Sequence, residues 1–194
     1  MIPAAALEWV KRIEGGFSDH PSDSGGATYS GLTVPALVGI DDDGDGRLDF
    51  DLDGDGDVDS EDIRALALLE DDERDAKVAA FYGRVWSDVA SGLPWPASLL
   101  AFDGAVHSGN RQGLVLLQRA LQVRPDGIIG SDTRRAAQMA SPPELARSYF
   151  AERVEFFLAL CNRRPKDRGF LHGWLNRASM LRVFAVQQFT GARA

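Results

Sequence analysis

The sequence contains little cysteine, no long apolar run and no excess of basic residues. Cys161 is the only cysteine among the 194 residues, so an internal disulfide and a metal site built from several thiolates are both excluded. No apolar stretch approaches the ~18 residues that a membrane-spanning helix needs, so we expect no insertion into a membrane. Lys and Arg number 21 against 29 Asp and Glu. Because no basic patch stands out, we expect no nucleic-acid partner.

The N-terminal residues 1–16 have no basic segment followed by an apolar one. The pattern of a secretory signal peptide is therefore missing, and we expect synthesis in the cytoplasm without such a peptide. Hydrophobic residues make up 44% of the chain and charged residues 26%. This composition and length predict one domain, or one body with a subdomain, with a sizeable core. We also expect the protein to be a monomer.

Apolar spacing predicts a mainly α fold with a small β element after the first helix. Leu7, Trp9, Val10 and Ile13 share one face of a helix over residues 4–14, which the glycines at 15 and 16 end. Residues 17–33, rich in Gly, Ser, Asp and Thr, predict short strands of a small hairpin sheet. Further helical patterns cover residues 34–39, 60–69, 73–86, 97–108, 111–122, 131–139, 143–163 and 170–190.

Three features in the second half of the chain have structural interpretations. Residues 126–130 predict a turn that leads into a helix capped by Ser131, and direct contact with a ligand is the alternative for this turn. Asp103 lies within a helical pattern and is interpreted as a structural acid. Cys161, in an apolar helical stretch, predicts a small buried side chain.

Residues 41–62 are strongly acidic. They contain eleven Asp, one Glu and one Arg, a net charge of −11, whereas the rest of the chain sums to +3. Residues 51–62 have acids at positions 1, 3, 5 and 12 of a twelve-residue calcium loop, with Gly56 at position 6. This segment resembles a dockerin-type, EF-hand-like calcium loop that is followed by a helix beginning at Ser60.

An upstream copy of this loop begins at Asp41, ten residues before Asp51. It has Leu52 at position 12, so it predicts a poorer site unless Asp51 or Asp53 takes part. A solvated acidic loop is the alternative, but the repeated Gly at position 6 and the self-repulsion of the charge favour one calcium ion, or two. The candidate ligands are Asp41, Asp43, Asp45, Asp49, Asp51, Asp53, Asp55, Asp57 and Asp62.

Glu14 is the last residue of the first predicted helix. A carboxylate there faces the negative end of the helix dipole, which favours its protonated form and suits a general acid. Asp23 and Thr28 follow in the glycine-rich stretch, and a hairpin that returns over the helix end would bring them opposite Glu14. Enzymes that cleave glycosidic bonds commonly use two carboxyl groups, one protonated and one ionised, on either side of the bond. From spacing alone, a helix-ending Glu and a turn-forming Asp remain the alternative.

A set of motifs runs in the same order as in a known family. They are Glu14-Gly15-Gly16-Phe17, Asp23-x-Gly25-Gly26-x-Thr28, Phe102-Asp103-x-Ala105-Val106-His107, Leu116-Leu117-Gln118, Asp126-Gly127-x-Ile129-Gly130 and Gly173-Trp174-Leu175-Asn176-Arg177. Together they resemble glycoside hydrolase family 108, the N-acetylmuramidases of phages and bacteria. The resemblance covers nearly the whole chain except the acidic insert, where the family has a plain connection.

The resemblance implies a lysozyme-like fold and a function on peptidoglycan. Residues 1–92 would form the catalytic part, with residues 41–62 as a calcium-binding insert, and residues 93–194 a helical peptidoglycan-binding part packed with it as one body. It implies Glu14 as the catalytic acid, assisted by Asp23 and Thr28. The candidate substrate-binding residues are Tyr29, His107, where the family commonly has Asn, and Asn110.

The expected reaction is hydrolysis of the β-1,4 bond between N-acetylmuramic acid and N-acetylglucosamine, as in an endolysin. The alternatives are a lytic transglycosylase that acts on the same bond and a calcium-dependent wall-binding module without catalysis. Action in the periplasm or cell wall, without a signal peptide, would require release through a holin or an export system.

Overall fold

The computed structural model describes residues 1–19 and 26–191. The chain divides into two compact units, Pro3–Tyr82 and Gly83–Ala194, and Met1–Ile2 group with the second unit. The described part is mainly α-helical with one small sheet, so the prediction of a mainly α, lysozyme-like fold is confirmed. No helix within residues 1–19 and 26–191 combines the length and apolar character that crossing a bilayer requires.

The first unit contains short helices and a three-stranded sheet. Its helices are α1 (Ala4–Glu14), α2 (Val34–Leu37), α3 (Ser60–Leu68) and the start of α4 (Asp71–Val89), and its strands are β1 (Phe17–Ser18), β2 (Thr28–Tyr29) and β3 (Leu32–Thr33). Helix α1 buries Ala6, Trp9 and Val10 along one face, and Gly15 ends it with a φ of 76°. The predicted bounds of this helix are therefore confirmed.

The three strands pair antiparallel in the order β1-β2-β3. Ser30 and Gly31 form the two-residue connection between β2 and β3, with φ angles of 47° and 78°. Two successive positive φ angles are those of a type I′ turn, the connection that matches the twist of a short hairpin. This turn places Gly31 where a side chain would be strained.

The acidic insert contains buried apolar side chains. Phe50 and Val58 are buried, as is Ile63 just after the insert, and the ammonium of Lys77 lies 5.6 Å from the centroid of the Phe50 ring. Helix α3 begins at Ser60, as predicted. Asp59 caps it, and the Asp62 side chain accepts the Asp59 backbone N–H in return, so the two residues form a capping box.

The second unit is helical. It contains α5 (Ala97–Ser108), α6 (Asn110–Ala120), α7 (Ser131–Met139), α8 (Pro142–Arg163), a 3-10 helix (Pro165–Phe170) and α9 (Leu171–Gly191). Helices α5 and α6 approach each other with almost no side chain between them, because a Cβ on Gly113 would lie 2.6 Å from the carbonyl carbon of Gly104. Cys161 is buried in α8, as its apolar surroundings predict.

Gln118 organises the turn that precedes α7. Its side-chain nitrogen lies 2.8 Å from Asp126 Oδ1 and 3.1 Å from Thr133 Oγ1, and its oxygen accepts the Gly127 N–H at 2.7 Å. The hydrogen bond from Gln118 lowers the pKa of Asp126. The predicted turn is thus confirmed, but the predicted cap is wrong: Gly130 occupies the N-cap position, and Ser131 is the first helical residue.

Candidate active site

Glu14 lies at the C-terminal end of α1, half-buried, beside the turn that joins β2 and β3. A Cβ built on Gly31 would lie 2.9 Å from both Cγ and Oε2 of Glu14. The backbone of this turn therefore packs directly against the Glu14 side chain. A residue larger than glycine at position 31 would collide with the candidate catalytic acid.

Three hydrogen bonds hold the turn against the end of α1. The Ser30 hydroxyl donates to the carbonyl of Gly15 at 2.9 Å, and the Ser30 N–H donates to the carbonyl of Gly16 at 3.2 Å. From the other side, the buried Tyr82 hydroxyl donates to the Ser30 carbonyl at 2.6 Å. These bonds fix the turn, and hence Gly31, at one place relative to the last residue of α1.

Thr28 and Tyr29 lie next to each other on β2 and therefore point to opposite faces of the sheet. Thr28 is in register with Ser18 and Thr33, so three hydroxyl residues form one row. Tyr29 is in register with Phe17 and with the buried Leu32. The two candidates therefore cannot act from the same face of this sheet.

Arg74 approaches the ring of Tyr29. Its guanidinium carbon lies 5.6 Å from the ring centroid, and one of its nitrogens donates to the Leu69 carbonyl at 2.8 Å. A second nitrogen pairs with Asp71, and this hydrogen bond raises the pKa of Arg74. A cation held in this way steadies an aromatic ring that is still partly exposed.

His107 and Asn110 belong to the second unit, and Asp23 lies outside the described residues. The His107 ring makes edge contacts with Phe157 and Trp174, at centroid distances of 5.3 and 6.1 Å. Burial, and then the charges of Arg153 and Arg177, lower the pKa of His107 to about 4. His107 is therefore neutral at pH 7, and each of its ring nitrogens is a donor or an acceptor according to the tautomer.

Asn110 is the first residue of α6 and is exposed. Its side-chain nitrogen lies 3.3 Å from Oδ2 of Asp88, also in the second unit. The amide oxygen of Asn110 is thus the group available for a further contact.

The two acidic loops have matching backbone geometry at a spacing of ten residues. Asp41 accepts the N–H groups of Gly44 and Gly46, and Asp51 accepts those of Gly54 and Gly56. All four glycines have positive φ angles. The structure therefore supports the duplication that the sequence indicates.

The loops close differently. In the second loop Asp62 accepts the N–H of Leu52 at 2.6 Å, whereas in the first loop Asp49 accepts the N–H of Asp42 at 3.1 Å. Asp49 therefore closes the first loop, where Leu52 at position 12 cannot. The hydrogen bond that closes the first loop is therefore made by Asp49, and not by Asp51 or Asp53.

Three groups of carboxylates have oxygens within 4.8 Å of one another. They are Asp41, Asp43 and Asp45; Asp51, Asp53 and Asp62; and Asp57, Asp59 and Asp62. Asp59 was not among the sequence candidates, and Asp49 and Asp55 do not belong to these groups. The charge of Asp55, followed by desolvation and other carboxylates, raises the pKa of Asp57, which shows how strongly the acids repel one another.

Gly31 and Tyr82 lie in stretches that also resemble the family, but sequence reasoning assigned no role to them or to Ser30. A Ser-Gly pair between two short strands is a signal for a tight turn, so Gly31 was accessible to such reasoning. Nothing local connects Tyr82 to the turn, because 52 residues separate it from Ser30.

Gly31→Ala is expected to lower both stability and activity. The positive φ costs an L-residue about 1–2 kcal/mol, and the new methyl group would also displace Glu14 and the Tyr82 hydroxyl, which lies 2.8 Å from the Cβ position. The matched control is Gly39→Ala, because Gly39 has a φ of 79° and open space around its Cβ position. Solubilisation of peptidoglycan by the two folded variants would be compared. Equal activity of both would contradict the placement of Gly31 against the candidate catalytic acid.

Two family models match the chain. One, described as "Glycosyl hydrolase 108", matches residues 7–109, and one described as "Predicted Peptidoglycan domain" matches residues 112–179. Among solved structures, the chain is similar to Brucella abortus SagA, at 27% sequence identity and a TM-score of 0.70. That alignment covers 95% of this chain and 93% of SagA. No protein of curated function matches significantly.

Proposed function

The chain belongs to the glycosyl hydrolase 108 family and is a peptidoglycan hydrolase, and we propose that it cleaves the β-1,4 bond between N-acetylmuramic acid and N-acetylglucosamine. The observation that carries the proposal is the position of the Glu14 carboxyl group. It lies half-buried at the end of α1, against the Gly31 turn that the bonds around Ser30 hold in place. One carboxylic acid in a defined position is the first requirement for glycoside hydrolysis.

In the proposed reaction, Glu14 in its acid form donates a proton to the glycosidic oxygen. The bond between this oxygen and the anomeric carbon of N-acetylmuramic acid breaks, and positive charge develops on the ring. Water then adds to the anomeric carbon and loses a proton, and Glu14 is returned to its acid form by solvent. Asp23 would stabilise the developing charge or orient the water, and the hydroxyl of Thr28 on β2 would help to hold that water.

We assign three residues to substrate contacts. Tyr29 has a ring steadied by Arg74, which suits stacking on the apolar face of a sugar. His107, neutral at pH 7, suits hydrogen bonds to hydroxyl or acetamido groups, and the Asn110 amide oxygen suits a donor on the glycan.

The reducing end of the product tests the bond that is cleaved. Sacculi would be digested, reduced with borohydride and analysed by mass spectrometry. Cleavage at the proposed bond converts N-acetylmuramic acid to its alditol. The alditol of N-acetylglucosamine would instead indicate the other glycosidic bond, and 1,6-anhydro ends would indicate a lytic transglycosylase.

We also propose that the acidic insert binds calcium. All candidate ligands are carboxylate or backbone oxygens, which suit a hard cation, and the glycines allow the sharp turns that bring alternate side chains together. Asp51, Asp53 and Asp62 would hold one ion, with Asp55 and Asp57 completing its ligands. Asp41, Asp43 and Asp45 would hold a second ion in the loop that Asp49 closes.

Calcium is expected to raise the melting temperature by about 5–10 °C relative to chelator. Ligand at a hundredfold excess over Kd adds about 2.7 kcal/mol to the free energy of unfolding. In a protein of this size, each kcal/mol raises the melting temperature by about 2–4 °C. Asp62→Asn should abolish most of this increment, whereas Asp132→Asn, which alters an exposed ion pair with Arg135 on α7, should preserve it. Superimposable melting curves of the unmodified protein with calcium and with chelator would contradict the proposal.

Because its substrate is peptidoglycan, the protein acts at the cell wall. We propose that it reaches the wall after synthesis in the cytoplasm, through a holin or an export system. Calcium is scarce in the cytosol and plentiful in the envelope, so the insert would become more stable after release.

A further inference from the structure

A groove of about 280 Å³ lies between α6 and α8 in the second unit. Its lining consists of Gln112 and Arg119 from α6, and Glu155, Phe156, Ala159 and Arg163 from α8. All six residues fall within the segment 112–179 that matches the peptidoglycan domain model. None of them has a part in the chemistry proposed for Glu14.

The groove carries charges of both signs. Glu155 and Arg163 lie eight residues apart on α8, so about 12 Å of helix separates them. Glu152, one turn before Glu155, is close enough for the charge of Glu155 to contribute to the raised pKa of Glu152, after desolvation. The positive charge of Arg119 opposes this rise in the pKa of Glu152, so Arg119 lies near the acidic end of the groove. Arg163 provides a second cation, two turns beyond Glu155 on α8.

The polar side chains of the groove do not pair with one another. Within residues 1–19 and 26–191, the side chains of Gln112, Arg119, Glu155 and Arg163 form no hydrogen bond or ion pair. Elsewhere on the surface, opposite charges do pair: Lys11 with Asp75 at 2.7 Å, for example. The groove therefore presents carboxylate and guanidinium groups whose hydrogen-bonding capacity is directed to solvent or to a ligand.

We propose that this groove binds the peptide stem of peptidoglycan at its diamino-acid residue. Glu155 would receive the free ammonium group, and Arg163 with Gln112 would receive a carboxylate. Phe156 and Ala159 would contact the alkyl chain between the two groups. This inference rests on the proposed action on peptidoglycan and adds a second recognition site to it.

The charges of the groove select the peptide rather than the sugar chain. N-acetylated sugars carry no ammonium group, and the free charges of the polymer lie mainly on its peptides. Charge-assisted hydrogen bonds are stronger than neutral ones, so a site with both signs of charge discriminates between a zwitterionic residue and a neutral glycan.

Titration calorimetry of the full chain tests this site with defined ligands. The probe is the disaccharide–tetrapeptide released from sacculi that contain a diamino acid, which lacks the bond proposed for cleavage. It would be compared with the same compound after acetylation of its free amine. For the unmodified protein we expect acetylation to weaken binding about ten- to hundredfold.

Two variants locate the effect in the groove. Glu155→Gln should bind the free and acetylated compounds with nearly equal affinity, and Arg163→Gln should weaken binding of the free compound about tenfold. Arg168→Gln, which removes an exposed cation from the 3-10 helix, is the control and should bind like the unmodified protein. Circular dichroism would verify folding, although the comparison of the two ligands on the unmodified protein requires no variant.

No measurable binding of the disaccharide–tetrapeptide, equal affinities for the two compounds, or unchanged binding by both groove variants would each overturn the inference. Digestion of intact sacculi and analysis of their reducing ends separate this result from the proposed function. If the unmodified protein does not cleave intact sacculi at the proposed bond, the proposed function is wrong. If it does cleave them there and the calorimetry shows no discrimination, only the groove assignment fails.

Discussion

Glu14→Gln is expected to slow the solubilisation of purified sacculi by at least about a hundredfold. Loss of a positioned general acid costs a factor of about 10²–10⁴ in rate. Glutamine has nearly the same shape as glutamate, but its amide group cannot transfer a proton to the glycosidic oxygen. Because the hydrogen bonds that hold the adjacent turn are made by Ser30 and Tyr82, the variant should keep the fold.

The comparison for this variant is Glu8→Gln on the same helix. Glu8 is exposed near the middle of α1, and its substitution removes the same charge away from the Gly31 turn. Turbidity of sacculi would be followed for both proteins at equal concentration, with melting curves as a check of folding. Full activity of Glu14→Gln would remove the proposed acid, whereas loss of activity in both variants would indicate an effect of charge alone.

Asp103→Asn is expected to lower the free energy of unfolding by about 3–5 kcal/mol, the usual cost of removing one partner of a buried ion pair. Asp103 is fully buried on α5 and pairs with two cations from other helices. Arg153 of α8 donates to its Oδ2, and Nε of Arg177 on α9 donates to its Oδ1 at 2.9 Å. Without the carboxylate, both guanidinium groups would lose the anion that they share.

Burial explains the size of this effect. Arg153 is itself fully buried, and its guanidinium carbon lies 5.1 Å from the Phe157 ring centroid and 6.0 Å from that of Tyr149. Burial raises the pKa of the Tyr149 hydroxyl, so this group stays neutral and supplies no negative charge in place of Asp103. Aromatic faces attract a cation only weakly compared with a carboxylate.

Denaturant titration of Asp103→Asn and of Asp132→Asn would measure the difference. Asp132 pairs with Arg135 on the exposed side of α7 at 3.1 Å, so its loss should cost less than about 1 kcal/mol. Adding Arg153→Met to Asp103→Asn should restore part of the stability, because it removes one of the two uncompensated charges. A cost below about 1 kcal/mol for Asp103→Asn would contradict a structural role for this ion cluster.

The sequence by itself determined the elements whose causes are local. The apolar spacing of α1, the glycines that end it and the helix start at Ser60 all depend on residues within a few positions of each other. The predicted helices over 97–108 and 131–139 have the bounds that the structure shows. The repeated acidic loops follow the same rule, because Asp and Gly side chains act on the backbone within a few residues. Ser131 was misassigned because a serine next to a glycine leaves a helix start ambiguous by one residue.

The tertiary structure alone decided which distant residues meet. Tyr82 reaches the Ser30 carbonyl across 52 residues, and Asp103 meets Arg153 and Arg177 across 50 and 74 residues. The charged groove depends in the same way on how α6 packs against α8. Periodicity states which face of a helix is buried but not which helix covers it. The environment of Glu14 and the partners of Asp103 are therefore set by packing, whereas the presence of these acids in helices is set by the local sequence.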